Sequence, residues 1–238
     1  MYIFNKICLV ICLPFIFITS ATHAESNLSL GVILNGSAWN GDNGKGLSDF
    51  DSDEGGQFGL TANYVNDRFY VGLSLQGGEY RFDDTGPMQF TSIGPIPTSD
   101  VKVKHSDLDL LAGYYFWERV SLFIDIKVVS SEWQNNNYKQ DFTGVGVGVS
   151  TYHPLNDEWT LFGSLGFVGG DIEQGDGVDL GEAVSSAIIV GANYSITKND
   201  YLNMGLKLRN YEYDFDDGNA QDYSLNGIFV GYNHVFNL

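Results

Sequence analysis

Ser121-Leu122-Phe123-Ile124-Asp125-Ile126-Lys127-Val128 alternates strictly. Leu122, Ile124, Ile126 and Val128 fall on one side, and Phe123, Asp125 and Lys127 on the other. Successive side chains of a β-strand point to opposite faces, so this period of two predicts a strand with unlike faces. Tyr201 to Tyr211 repeats the pattern, setting Leu202, Met204, Leu206 and Leu208 against Asn203, Gly205, Lys207 and Arg209. The same split predicts ten strands, near 27–39, 57–66, 68–80, 104–117, 119–133, 139–153, 158–170, 183–197, 200–213 and 222–238. Their apolar faces carry sets such as Phe58/Leu60/Ala62/Tyr64 and Val145/Val147/Val149, while the opposite faces are rich in Gly, Ser, Thr and Asn.

Alternation fits a soluble sandwich as well as a barrel, and the connections separate the two. Tight turns stand at Asn66-Asp67-Arg68, Glu118-Arg119, Pro154-Leu155-Asn156-Asp157 and Thr197-Lys198-Asn199-Asp200. The intervening connections, near 40–56, 81–103, 134–138, 171–182 and 214–221, are predicted to be mostly long loops. Aromatic residues, among them Tyr64, Phe69, Tyr114, Trp117, Trp159, Tyr194 and Tyr232, gather beside the short turns, where an interfacial girdle belongs. In hydrocarbon every backbone N–H and C=O must be paired within the protein, and a closed sheet leaves no free edge. Each segment also supplies the roughly 9–11 residues a spanning strand needs. The expected fold is therefore an all-β, transmembrane, antiparallel up-and-down barrel of ten strands, with eight as the alternative.

The first residues carry an address. Lys6 precedes an almost purely apolar run from Ile7 to Ile18, and Thr19 to Ala24 then turn small and polar. This predicts a secretory signal peptide over 1–24, cut between Ala24 and Glu25, and a single barrel domain over 25–238. The apolar run is shorter than the ~20 residues a membrane helix requires. Both cysteines, Cys8 and Cys12, fall within the signal, so the exported chain has no disulfide. Loss of Lys6 moves the formal charge from −18 to −19. Such acidity excludes a nucleic-acid binder, which needs cations to displace counterions from phosphates. The 29 Gly and the 34 aromatic residues exclude a disordered chain.

The last strand places Ile228, Val230, Tyr232, Phe236 and Leu238 at alternate positions, interrupted by His234. With the strand and turn pattern before it, the chain resembles small Gram-negative outer-membrane β-barrels of the OmpA, OmpX and opacity-protein type. The resemblance implies location in the outer membrane and contact with its lipid and lipopolysaccharide. It also implies insertion by an assembly machinery that reads the C-terminal strand.

Counted upward from the short turns, the inward charges Asp109, Asp125, Lys127, Lys207 and Arg209 fall at similar heights. Buried charges need partners, so a mid-lumen ionic network that holds the barrel closed is expected. A cation-regulated constriction in a narrow pore is the alternative. Gly144, Gly146 and Gly148 are expected to make room for Phe123 and Lys127 on the neighbouring strand.

Acid gathers in three outer loops. Asp42, Asp49, Asp51, Asp53, Glu54, Asp171, Glu173, Asp176, Asp179, Glu182, Glu212, Asp214, Asp216, Asp217 and Asp222 make half of all the acids, against Lys45 alone. Asp49, Asp51 and Asp53 imitate the start of a calcium loop, but Glu54 displaces the expected Gly and Leu60 stands where a bidentate Glu would close it. Diffuse Ca²⁺ or Mg²⁺ bridging from the acidic loops to lipopolysaccharide phosphates is the stronger expectation. Lys102 and Lys104 would meet those phosphates directly.

Ten strands with acidic loops also resemble the omptin proteases, which the resemblance equips with paired Asp residues facing an Asp–His pair. Asp107 and Asp109 echo the carboxylate pair, with His105 nearby. The opposite loop offers Asp171 and Glu173 but no His, so no imidazole stands ready as general base. Barrel-type lipid A deacylases need His and Ser two apart on one strand, and Asp107 occupies the Ser place. The expectation is a non-enzymatic barrel that acts through its acidic outer loops on an unidentified extracellular ligand, in adhesion, host or phage contact, or envelope integrity. A narrow pore is the runner-up.

Overall fold

The computed structural model describes residues 26–44, 46–175 and 177–238. The expected cleavage position at Ala24 and Glu25 lies outside the described residues. Eleven strands form: β1 (Ser26–Asp42), β2 (Asp49–Asp51), β3 (Glu54–Asn66), β4 (Phe69–Thr91), β5 (Gly94–Tyr115), β6 (Val120–Trp133), β7 (Tyr138–Pro154), β8 (Trp159–Gln174), β9 (Asp179–Ser195), β10 (Asp200–Phe215) and β11 (Ala220–Asn237). Each long strand pairs antiparallel with its neighbours in sequence, and β11 pairs with β1 from Asn27↔Asn237 to Asp42↔Asp222. That last ladder closes a ten-stranded barrel. The short β2 lies outside the ring count, paired only to the end of β1.

The outward faces form a band of exposed apolar side chains, including Leu34, Leu60, Leu75, Ile124, Val145, Ile188, Leu206 and Ile228. A water-soluble monomer does not carry an apolar surface that encircles it, whereas hydrocarbon tails satisfy one. At the short-turn end the band finishes in aromatic pairs. Phe69 lies 4.8 Å from Tyr114, Trp159 lies 4.9 Å from Tyr194, and Phe116 packs on an exposed Trp117. Ser26 and Leu238 meet at this end, which corresponds to the periplasmic side of such barrels.

The expectation of long outer loops is corrected. Residues 81–103 are almost entirely strand, because β4 runs to Thr91 and β5 restarts at Gly94. Likewise β8 reaches Gln174, β9 begins at Asp179, and only 216–219 separate β10 from β11. The physical reason is an exchange of faces at the membrane edge. On β10, Met204, Leu206 and Leu208 point out, followed on the same face by Asn210, Glu212 and Asp214. The inward face runs through Lys207 and Arg209 and then turns aromatic at Tyr211, Tyr213 and Phe215. Strand phase is unbroken while the solvent outside changes from lipid to water. The outer third is therefore an ordinary water-facing β-structure with its own core, in which Trp39, Tyr80, Phe82, Phe142, Tyr211 and Leu225 are fully buried.

The β4–β5 hairpin bends over the outer mouth. Two register shifts, between Phe82 and Thr85 and between Gly86 and Gln89, kink the ladder there, as β-bulges do. Phe90 then stacks on Phe215 of β10 at 3.8 Å, and the Trp133 indole N–H donates to the Pro87 carbonyl at 3.0 Å. Gln89 and Asn136 exchange amide hydrogen bonds, and the Met88 N–H donates to Asn43. The hairpin is thus fastened on both sides of the barrel.

Candidate functional site

The inward charges are held by four strands. Arg209 on β10 reaches across the bore to Asp107 on β5, and its other guanidinium nitrogen donates to Gln57 Oε1 on β3 at 2.8 Å. Lys127 on β6 donates to Asp107 Oδ1 at 2.9 Å and to Asp109. Asp107 and Arg209 have no exposed side-chain surface, and Lys127 has 5%. Pairing is what makes such burial tolerable, since an isolated ion costs several kcal/mol to desolvate.

Of the five residues expected in the network, the structure brings together Asp109, Lys127 and Arg209. Asp125 and Lys207 do not join: neither makes an ion pair within 4 Å among the described residues, and Asp125 Oδ1 has no hydrogen-bond partner. Asp107, read from the sequence as half of a carboxylate echo, is the hub of the network. The sequence did carry the signal, because Asp107 shares a face with Asp109 at period two.

Below this layer the lumen holds a cavity of about 700 Å³ that extends to Thr151 and Ser195 at the periplasmic rim. Phe123 fills part of it and depends on a glycine neighbour. A Cβ on Gly148 would lie 2.2 Å from the Phe123 ring. Above the layer, His105 is buried edge-on against Trp39, its Nδ1 3.2 Å from Ser131 Oγ. Asp107 is committed to its two cations, Lys127 and Arg209. His153 stands by Arg119, and His234 lies 2.8 Å from Asp200, both at the periplasmic end.

Asp49, Asp51 and Asp53, the calcium-loop candidates, stand on or just after β2. Asp49 and Asp51 lie exposed on β2 around an inward Phe50, and residues two apart on a strand stand roughly 7 Å apart. Asp53 instead accepts the Asp83 N–H at 2.7 Å. Among the described residues no three His, Cys, Asp or Glu side chains converge on a cation position.

The outer wall is charged asymmetrically. Arg81, Lys102, Lys104 and Lys139 lie on β4, β5 and β7, with Lys102 bonded to Glu79 at 2.9 Å. Lys102, with Gln134, holds the Glu79 carboxyl below its usual range. The far side is acidic in rows, Asp42↔Asp222↔Glu212 and Asp214↔Glu182↔Asp171. Partial burial, reinforced by Glu212, Asp42 and Asp214, raises the Asp222 carboxyl.

No protein-family profile matches the sequence, and no curated protein does. Among solved structures, the outer membrane protease OmpT from Escherichia coli superposes with a TM-score of 0.55 at 11% identity, over 89% of this chain and 97% of that one. The chain has the fold of an outer-membrane β-barrel. An outer membrane channel from Pseudomonas putida F1 matches at 13% identity and TM-score 0.43, over 91% of this chain and 97% of its own. The beta domain of the Bordetella autotransporter BrkA matches at 12% and 0.43, over 90% and 100%. At 11% identity the OmpT match shows the outer-membrane β-barrel fold alone, and with the apolar belt and aromatic rim it places this barrel in the outer membrane.

Proposed function

We propose that this barrel is a closed anchor that presents an acidic, strand-built rim to the exterior and acts by surface contact rather than by transport or catalysis. The observation that carries the reading is the Asp107–Arg209 pair spanning the bore beneath a packed aromatic core, with the β4–β5 hairpin fastened over both. Two closures stacked in series across the bore argue against the narrow pore. A hydrolase needs a base poised at an open groove, and His105 is instead enclosed among Trp39, Tyr80 and Ser131.

The partner that suits the rim is cationic or bridged by divalent cations, because facing carboxylates in rows repel one another and attract positive charge. Lys102 and Lys104 sit just beyond the apolar band, a position that suits contact with lipopolysaccharide phosphates. The test uses whole cells carrying the intact barrel, a variant with Asp42, Asp214, Asp222, Glu182 and Glu212 changed to their amides, or no barrel. Adhesion to epithelial monolayers and to beads coated with cationic peptide should rise with the intact barrel and fall with the amide variant. Equal adhesion by all three would count against the proposal.

A further inference from the structure

The charges of the mid-lumen layer do not cancel pair by pair. Asp107 is matched to Arg209, and Asp109 to Lys127, which leaves Lys207 and Asp125 over. Lys207 is only 7% exposed, yet among the described residues it makes no ion pair within 4 Å. Asp125 carries a buried oxygen without a hydrogen-bond partner. No ion pair links the two among the described residues, and both line the periplasmic cavity. Asn203 Oδ1 and Gln76 Oε1, which also line the cavity, are buried without hydrogen-bond partners among the described residues.

We infer that the periplasmic half of the lumen is a binding site for a small zwitterion of the α-amino-acid class. A buried charge without a partner is costly, and a ligand that supplies both missing partners removes that cost twice. The ligand carboxylate accepts from Lys207 Nζ, and the ligand ammonium donates to the Asp125 carboxylate. Charge-assisted bonds of this kind are the strong ones. An apolar body fits below the head, where Phe123, Phe162, Phe229 and Ile33 face the cavity. The volume is within the usual range for small-molecule sites, and the exposed Thr151 and Ser195 mark the entry from the periplasm. This site is independent of the surface role proposed above, since it lies on the other side of the closure.

The experiment is saturation-transfer NMR and titration calorimetry on the folded barrel in detergent. Three probes are compared: L-phenylalanine, 3-phenylpropanoate (no ammonium) and 2-phenylethylamine (no carboxylate). L-phenylalanine should bind saturably, and each truncated probe should bind at least about tenfold more weakly. Lys207→Met should weaken L-phenylalanine by a similar factor and leave 2-phenylethylamine unchanged. Asp125→Asn should weaken L-phenylalanine and leave 3-phenylpropanoate unchanged. Equal binding of the three probes, or no saturable binding of L-phenylalanine at millimolar concentration, would overturn the inference. The probe series on the unmutated barrel decides the matter even where a variant fails to fold.

Discussion

Asp107 and Arg209 lie 102 residues apart in sequence, yet they bond across the bore with no exposed surface on either side chain. In the ring order β5 and β10 stand five places apart of ten, so this pair bridges the full diameter. Arg209→Ala leaves a buried carboxylate with only Lys127 to answer it. A loss of about 3–5 kcal/mol is expected, read from denaturant unfolding in detergent. The double variant Asp107→Leu with Arg209→Met should recover most of that loss, because apolar replacement of a whole buried pair is often neutral.

On the β10 side the hairpin is fastened over the mouth by the Phe90–Phe215 stack. Phe90→Ala should loosen the hairpin on that side while the membrane part stays folded. Limited proteolysis of intact cells should then cut within residues 84–99 at least about tenfold faster, since cleavage follows the population of the open form. Heat-modifiable gel mobility should be unchanged.

Strand pairing sets Phe123 beside Gly148 with no room for a side chain. Gly148→Val should prevent folding or cost about 1–3 kcal/mol through overpacking. Adding Phe123→Ala should recover only part of the refolding yield in detergent, because a Cβ on Gly148 would also lie 2.5 Å from the Leu165 carbonyl oxygen.

Asp222 is raised first by burial and then by Glu212, Asp42 and Asp214. A carboxyl whose folded pKa lies above its unfolded one weakens the fold at neutral pH, and the penalty is relieved as pH falls through the folded value. Asp222→Asn should therefore stabilise the barrel at pH 7, by less than about 1 kcal/mol given the exposure of the rim. The gain should shrink in high salt and vanish near pH 3 in thermal melts.

The ten strands were legible because lipid demands apolar side chains on every second position, and Ser121 to Val128 or Tyr201 to Tyr211 display that demand without interruption. The outer third was hidden by composition. Residues 81–103 hold Gly, Pro and Asp that suggest loop, although Tyr80/Phe82 and Val101/Val103 continue the inward phase set by Gln76 and Asp107. Once water replaces lipid outside, the apolar residues move to the other face, and a reader tracking outward grease loses the strand. The ionic layer was legible from equal heights on alternating strands for Asp109, Lys127 and Arg209. Height alone could not say which acid each cation would choose. That depends on side-chain reach across the bore, which put Asp107 at the hub and left Lys207 and Asp125 apart.

Planar-bilayer recording of the unmutated, folded barrel tests the closed lumen most directly. Inserted barrels are expected to pass no steady current at moderate voltage, because the Asp107–Arg209 bridge and the aromatic core lie in series. A stable ohmic conductance that scales with the number of inserted barrels would contradict the account.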